Sequence, residues 1–403
     1  MINSLESWLA QEFGTEKFRP DLTRIKLALK DLIPELNKIK AVIIAGTNGK
    51  GETAHRLSAL AHSSTFCTWT SPHILKLEER FTCEEGEITN KDLTRIIYSC
   101  HERVKKNHYE LSYYEFLFYV FCHWVLERTP KFLFLEVGLG GLYDAVNVLD
   151  AECVLLTSIS RDHQEILGNR YDLILKEKLG VVRSHSTLFT FLAPKYLRNL
   201  THLLVPSGTS VLHLQDCTDV QDFEFSKRNQ LLANVAWRFL VGESVQSILD
   251  DPFKSFSFTA QGLAHRGDVL DFKGTWHFYG SHNTDGIRKL IHFLRSANYN
   301  LDSTPFDLII ASFSKRSVED IKHMLWMLKK ADLGRLIITS FDHPKAYPAH
   351  ELELLVSKEG IEFATDAASL IKNITDQNVL VLGSYYFIGH VRELLIGQRE
   401  CSI

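Results

Sequence analysis

Short apolar runs alternate with amphipathic stretches through most of this chain. The apolar runs predict strands at residues 41–45, 132–137, 154–158, 187–191, 308–311, 335–339 and 379–382. Helical patterns lie between them, for example at residues 112–128 and 318–330. This alternation predicts an α/β protein with mostly parallel, doubly covered sheets. The periodicity breaks over residues 249–262, around Leu249-Asp250-Asp251-Pro252, and that break is the expected domain boundary. One domain is expected over residues 1–255 and a smaller one over 262–403. No internal repeat or low-complexity tract interrupts either.

Composition narrows the function classes. The chain has 403 residues, 45% of them apolar and 23% charged, which is ordinary for a globular protein with real cores. A net charge of −4 argues against general nucleic-acid binding, which needs a basic face. No apolar run approaches the length that spans a bilayer, and the N-terminus lacks the basic-then-apolar order of a signal peptide. Seven cysteines are scattered without a C-x-x-C pair, so reduced thiols, mostly small core residues, and a cytoplasmic location are expected.

The candidate chemistry begins where the first predicted strand ends. Gly46-Thr47-Asn48-Gly49-Lys50-Gly51-Glu52-Thr53 is a glycine-rich turn carrying a lysine, followed at once by a helical pattern (Ala54, Leu57, Leu60, Ala61). A strand feeding a helix through such a turn aims backbone N–H groups at a phosphate, and Lys50 adds a mobile positive charge. The turn is shorter than the common G-x-x-x-x-G-K-[ST] loop, because Ile44 stands where its first glycine should be. Glu52 stands where a nucleotide loop wants a hydroxyl for Mg²⁺. Two like charges about 4 Å apart at an effective dielectric of about 20 repel by about 4 kcal/mol. Three placements of Glu52 are therefore open: against the phosphates, on the Mg²⁺ itself, or turned outward in the first helical turn.

Four further clusters follow predicted strands or helices. Glu136 ends an apolar run before Gly138-Leu139-Gly140-Gly141 and could hold a metal at the carboxyl edge of a sheet. Asp162-His163 follows another strand. Lys176-Glu177-Lys178-Leu179-Gly180 reads by itself as an ordinary helix C-terminus. Tyr279-Gly280-Ser281-His282-Asn283 follows a strand-like stretch at 275–278 in the second domain.

In this order and spacing the clusters resemble the folylpolyglutamate synthase/dihydrofolate synthase branch of the Mur ligase superfamily. The series runs from the glycine loop through Thr70-Ser71-Pro72-His73-Ile74 with Glu79-Arg80, then residues 136–147, 162–168, 177–181 and 280–283, to Gly383-Ser384-Tyr385-Tyr386, covering about residues 20–395. The resemblance implies an N-terminal P-loop ATPase domain and a smaller Rossmann-like C-terminal domain. It implies ATP-driven amide formation through an acyl phosphate, with ATP and two Mg²⁺ ions as cofactors. Small-molecule substrates are expected, dihydropteroate or a reduced folate plus L-glutamate, handled by a monomer.

The implied roles are these. Gly46, Thr47, Asn48, Gly49, Lys50, Gly51, Glu52 and Thr53 line the nucleotide, with Asn234 and Arg266 near the family's ATP-contacting Asn and Arg. Glu136, His163 and Lys178 match metal ligands, Lys178 as a carbamylated lysine, and Glu52 is a further metal candidate. Lys50, Lys178 and His282 match catalytic positions. Ser71, Pro72, His73, Arg80, Asp144 and Ala145 belong to the pterin side, and Ser384 to the glutamate end. Departures from the pattern are Glu52 for a hydroxyl, Leu142 for Arg, Val146 for Thr, Tyr279 for Asp, Thr284 for Pro and Ser314-Lys315-Arg316 for a D-K-D. They leave two alternatives to an active folate ligase: a non-catalytic homologue that binds folate or a partner, and a ligase for a different acid and amine.

Overall fold

The computed structural model describes residues 4–14, 19–192, 194–216, 225–256, 268–296, 305–375 and 377–400. The chain divides into two compact units, Met1–Phe258 and Thr259–Ile403.

The first unit is built on an eight-stranded sheet. Its strands are β1 (Lys40–Ala45), β2 (Phe66–Trp69), β3 (Phe81–Cys83), β4 (Gly86–Glu87), β5 (Phe132–Glu136), β6 (Cys153–Leu156), β7 (Thr187–Thr190) and β8 (Ser210–His213). They lie in the order β4-β3-β2-β5-β1-β6-β7-β8. Pairing is parallel from β2 across to β8, and antiparallel only where β3 and β4 extend the edge. β1 shows why the run at 41–45 is uninterruptedly apolar. Ala41, Ile43 and Ala45 enter one core and Val42 and Ile44 the other, because successive strand residues point to opposite faces. The first core is filled by the helix Tyr113–Arg128, with Phe116, Leu117, Val120 and Phe121 buried. The second is filled by the helices Lys50–Leu60 and Phe225–Leu240, which meet through Ala54, Leu57, Leu232 and Ala236.

The second unit carries β9 (Asp268–Asp271), β10 (Gly274–Tyr279), β11 (Leu308–Ser312), β12 (Arg335–Thr339), β13 (Glu362–Ala364) and β14 (Gln377–Gly383). Their order is β13-β12-β11-β14-β10-β9, parallel except for β9 at the edge. The helices Thr284–Ser296 and Val318–Ala331 close one core with Ile287, Leu290, Ile321 and Leu325.

The seven strands expected from the apolar runs are all present, to within two residues at either end. The short strands β2, β3, β4, β8, β9 and β13 were not expected. β13 has three residues and begins with an exposed glutamate, so its own pattern carries little signal.

Topology then sets the site. β1 sits between β5 and β6, while the chain leaves β1 for β2 on one side and returns through β5 to β6 on the other. Ligands collect outside the carboxyl ends of parallel strands at such a reversal. The glycine loop follows β1, Glu136 ends β5, Thr157–Ser160 follow β6, and Ser71 follows β2.

Candidate active site

The glycine loop leaves β1 with little freedom. Gly46 has φ +146°, and a side chain there would place its Cβ 2.0 Å from the Thr157 hydroxyl. Gly49, at φ +89°, is the left-handed residue that opens the helix Lys50–Leu60. That helix start offers the N–H cradle expected for phosphate. The loop after β6 fixes its shape. Thr47 N–H donates to the Ser158 carbonyl at 2.9 Å. The Thr47 hydroxyl donates to the Ser160 carbonyl and accepts from Ser160 N–H. Asn48 N–H donates to Ser158 Oγ at 3.0 Å, and the Thr157 hydroxyl donates to the Asn48 carbonyl at 2.7 Å. Thr47 therefore holds the loop from behind. Thr53 is buried, its hydroxyl donating back to the Gly49 carbonyl at 2.9 Å.

Two lysines converge on this loop. Lys50 Nζ donates to the Thr47 carbonyl at 3.3 Å and Lys178 Nζ to the Gly46 carbonyl at 3.0 Å. Lys178 lies in the last turn of the helix Tyr171–Leu179 and is buried. Burial, and then the nearby Lys50 charge, push its amine down to about 7, against a smaller opposing pull from Asp162. The helix reaches the loop because Gly141 leaves no gap: a Cβ there would lie 2.9 Å from the carbonyls of Glu177 and Lys178.

Glu136 is buried at the end of β5, and one carboxylate oxygen accepts from Ser71 N–H at 2.9 Å. Asp162 is buried after β6. Mg²⁺ that is partly held by nucleotide phosphates and water needs only one or two protein carboxylates. Glu136, ending β5, and Asp162, in the loop after β6, are buried carboxylates of the kind that could serve it. Among the described residues no group of three or more His, Cys, Asp or Glu side chains converges as a preformed metal centre. His163 faces differently from its neighbour. Its side chain is 48% exposed, its φ is +48°, and it pairs with Glu165 at 3.6 Å. The left-handed turn directs the ring outward while its neighbour Asp162 goes inward.

Of the three placements open to Glu52, the structure shows it held by its neighbours. One oxygen pairs with Arg56 Nε at 3.0 Å and accepts a short hydrogen bond from the Ser226 hydroxyl, and the other accepts from Asn229 Nδ2 at 2.7 Å. Arg56 lies one helical turn on, and Ser226 and Asn229 start the helix that packs alongside. With both oxygens so engaged, Glu52 ties two helices together rather than serving as a ready metal ligand or facing the phosphates bare. Asn229 and Phe225 also cover Gly49, where a Cβ would meet them at 2.6 and 2.7 Å. Asn234, five residues further along that helix, points about 140° away from Asn229. It is buried in the helix interior, and its Oδ1 has no hydrogen-bond partner. Arg266 lies outside the described residues.

The expected pterin-side residues are largely turned inward. Asp144 is buried and its carboxylate accepts from Leu139 N–H (2.9 Å), Val146 N–H (3.1 Å) and the Tyr114 hydroxyl (3.2 Å). Burial raises its carboxyl to about 6 despite those donors. Ala145 is buried in the core. These two shape the turn instead of lining a surface, because the turn needs its N–H groups satisfied from inside. Ser71-Pro72 is a cis peptide. Beyond it Glu79 accepts from the N–H groups of Ile74, Leu75 and Lys76, folding the loop compactly. Arg80 is buried, donates to His73 Nδ1 at 2.9 Å, and lies over the Trp69 ring.

In the second unit the loop after β10 and the turn after β14 are neighbours, since the two strands pair. His282 Nδ1 lies 2.9 Å from the Gly280 carbonyl, and its ring is 5.1 Å from Tyr385. A Cβ on Gly280 would collide with the Tyr385 ring at 2.0 Å, so the glycine permits this approach. Ser384 is buried, its N–H donating to the Ser312 carbonyl and its hydroxyl 2.7 Å from that of Ser314. Tyr279 packs against Phe293. Ser226, Asn229 and Tyr114 were missed by sequence reasoning. None lies in a glycine-rich or strand-end motif, so only the packing of their helices identifies them.

No protein-family model matches the chain. The dihydrofolate synthase/folylpolyglutamate synthase of Bacillus subtilis is 24% identical over 96% of this chain and 98% of its own length. The folylpolyglutamate synthase of Lacticaseibacillus casei is 24% identical over 89% of this chain and 90% of its own. Among solved structures, E. coli FolC in complex with DHPP and ADP superposes with a TM-score of 0.76, at 22% identity over 98% of each chain. A bifunctional folylpolyglutamate synthase/dihydrofolate synthase with Mn, AMPPNP and L-glutamate bound superposes at 0.77, with 21% identity over 97% of this chain and 98% of the other. These structures share the fold described above.

Proposed function

We propose that this chain, a member of the folylpolyglutamate synthase/dihydrofolate synthase family of the Mur ligase superfamily, is an ATP-dependent ligase that joins L-glutamate to a pterin-bearing carboxylic acid. Dihydropteroate and reduced folates are both assigned as acceptors, following the paired activities in the name of the Bacillus subtilis relative. The carrying observation is the convergence of Lys50 and Lys178 on a glycine loop that opens a helix at the β5–β1–β6 strand ends.

In this reading the acceptor carboxylate attacks the γ-phosphorus of ATP, giving an acyl phosphate and ADP. The glutamate amine then adds to the acyl carbon, and loss of inorganic phosphate and a proton leaves the amide. The chain must neutralise charge on the phosphates and on the tetrahedral adduct. The helix start at Gly49 and the Lys50 ammonium do the first. Glu136 and Asp162 are assigned to hold Mg²⁺, which would polarise the phosphate oxygens. Lys178, whose amine burial pushes down to about 7, can add that amine to CO₂, releasing a proton and leaving a carbamate whose oxygen is anionic. The C-terminal loop with His282, and Ser384, are assigned to the glutamate step. The enzyme is assigned to the cytoplasm as a monomer. The cysteines at 67, 83, 100, 122 and 153 are buried free thiols, and no helix among the described residues is long and apolar enough to cross a membrane.

The Glu52 contacts weigh against a non-catalytic reading in which this carboxylate fills the phosphate cradle. The test is incubation of the purified protein with ATP, Mg²⁺ and L-glutamate, with dihydropteroate in one sample and tetrahydrofolate in another, read by mass spectrometry. Products heavier by glutamyl units, formed with one ADP each, are expected. Folded protein that forms none from either acceptor overturns the proposal.

A further inference from the structure

Tyr114 stands on the helix Tyr113–Arg128, which carries none of the site motifs. Its hydroxyl accepts from Trp69 Nε1 and from Gly138 N–H and donates to Asp144 Oδ1, each at 3.2 Å. One donor and two acceptor sites are all that a phenol has, so this hydroxyl is fully used. Burial pushes its ionisation well above the ordinary range, which keeps the proton in place for Asp144.

The three partners have a common relation to Glu136. Trp69 is two residues before Ser71, and Gly138 is two residues after Glu136. Ser71 N–H and Glu136 Oε2 bond each other at 2.9 Å. The hydroxyl therefore joins the ends of β2 and β5 beside the contact that orients the Glu136 carboxylate. Asp144 then links the same point to the turn that packs on Lys178 through Gly141. Gly138 is shaped to this contact: a Cβ there would lie 2.7 Å from the Tyr114 oxygen. None of the loop's own hydrogen bonds to Thr157, Ser158 and Ser160 involves Tyr114.

We infer that Tyr114 is a positioning residue of the ligase, holding the Glu136 strand end and the Ser71 turn in register. The inference rests on the assignment of Glu136 to the metal–nucleotide in the ligase reading above. Removing an outer partner of this kind weakens metal binding by about 10–100-fold, and a displacement of about 1 Å can cost about 100-fold in rate.

The test compares the unmutated protein, Tyr114→Phe and Tyr119→Phe. Tyr119 is a buried tyrosine of the same helix, its ring packed on His123 at 4.6 Å, so it reports loss of a buried hydroxyl away from Glu136. Mn²⁺ is titrated by electron paramagnetic resonance at saturating AMPPNP, and kcat is measured with each acceptor. Tyr114→Phe is expected to weaken Mn²⁺ about tenfold and lower kcat at least tenfold, while AMPPNP alone binds as before. Tyr119→Phe should change only the melting temperature. Unaltered Mn²⁺ affinity in Tyr114→Phe, or equal weakening in Tyr119→Phe, overturns the inference. If the unmutated protein binds Mn²⁺–AMPPNP yet forms no product, the ligase reading falls and the titration still decides Tyr114. If it binds no Mn²⁺–AMPPNP, both fall.

Discussion

Lys178 and Gly46 are 132 residues apart in sequence, yet the buried lysine amine donates to the glycine carbonyl at 3.0 Å. The contact brings a second amine to a loop that already holds Lys50. The protein keeps it there at the cost of a depressed Lys178 ionisation.

That depression gives stability a signature with pH. The folded amine titrates near 7 and the unfolded one near 10.5. Between those values the unfolded chain binds more protons, so the Lys178 contribution to stability rises with pH across that window. Below pH 7 its full penalty is present. Lys178→Met should therefore be more stable than the parent near pH 6.5, with the difference shrinking by at most about 1.4 kcal/mol per pH unit toward pH 10. Urea midpoints at pH 6.5 and 9.5 measure it, and a pH-independent difference would contradict the assignment.

Glu52 and Arg56 should separate stability from nucleotide affinity. Glu52→Ser leaves Arg56 and Asn229 without their shared acceptor, and a loss of about 1–3 kcal/mol is expected. ATP affinity should tighten, because Arg56, still held on Ser226 Oγ, is left as an uncompensated cation beside the loop. Arg56→Met should do the opposite, leaving the carboxylate uncompensated beside the loop and weakening ATP by about tenfold or more. Calorimetric ATP titration of both variants reads this, and shifts of the same sign in the two would contradict the pairing of Glu52 with Arg56.

Gly49→Ala meets two obstacles, a left-handed φ of +89° and contacts with Asn229 at 2.6 Å and Phe225 at 2.7 Å. A lower melting temperature and loss of ATP binding are expected. Adding Asn229→Gly should not restore the stability, since the backbone strain of about 1–3 kcal/mol and the Phe225 contact stay and the Asn229 bond to Glu52 is lost. Full recovery in the double variant would make crowding the sole cause.

Metal removal offers a fourth check. Mg²⁺ with AMPPNP should raise the melting temperature far more than either alone, by the equivalent of about 2.7 kcal/mol when free nucleotide is 100 times its Kd. EDTA should reverse the shift and stop product formation. An equal shift with AMPPNP alone would argue against a metal shared by phosphate and Glu136.

Strand runs such as those at 41–45 and 335–339 were legible because a strand buried on both faces must be apolar at every position. The glycine loop was legible because Gly49 needs a left-handed backbone and Lys50 follows it directly. The order of strand-end motifs pointed to the carboxyl edge of a sheet before any sheet was seen. Tertiary structure alone decided what the polar side chains do. It placed Asp162 inward and His163 outward, though they are adjacent. It locked Glu52 to Arg56, Ser226 and Asn229, where sequence left three placements open. It enclosed Asp144 and gave its oxygens to backbone N–H groups and Tyr114. Local sequence sets periodicity, turns and caps, because those depend on neighbours along the chain. A carboxylate or an amine takes the partner that packing delivers, and that partner can stand as far off in sequence as Gly46 from Lys178 or Asn229 from Glu52.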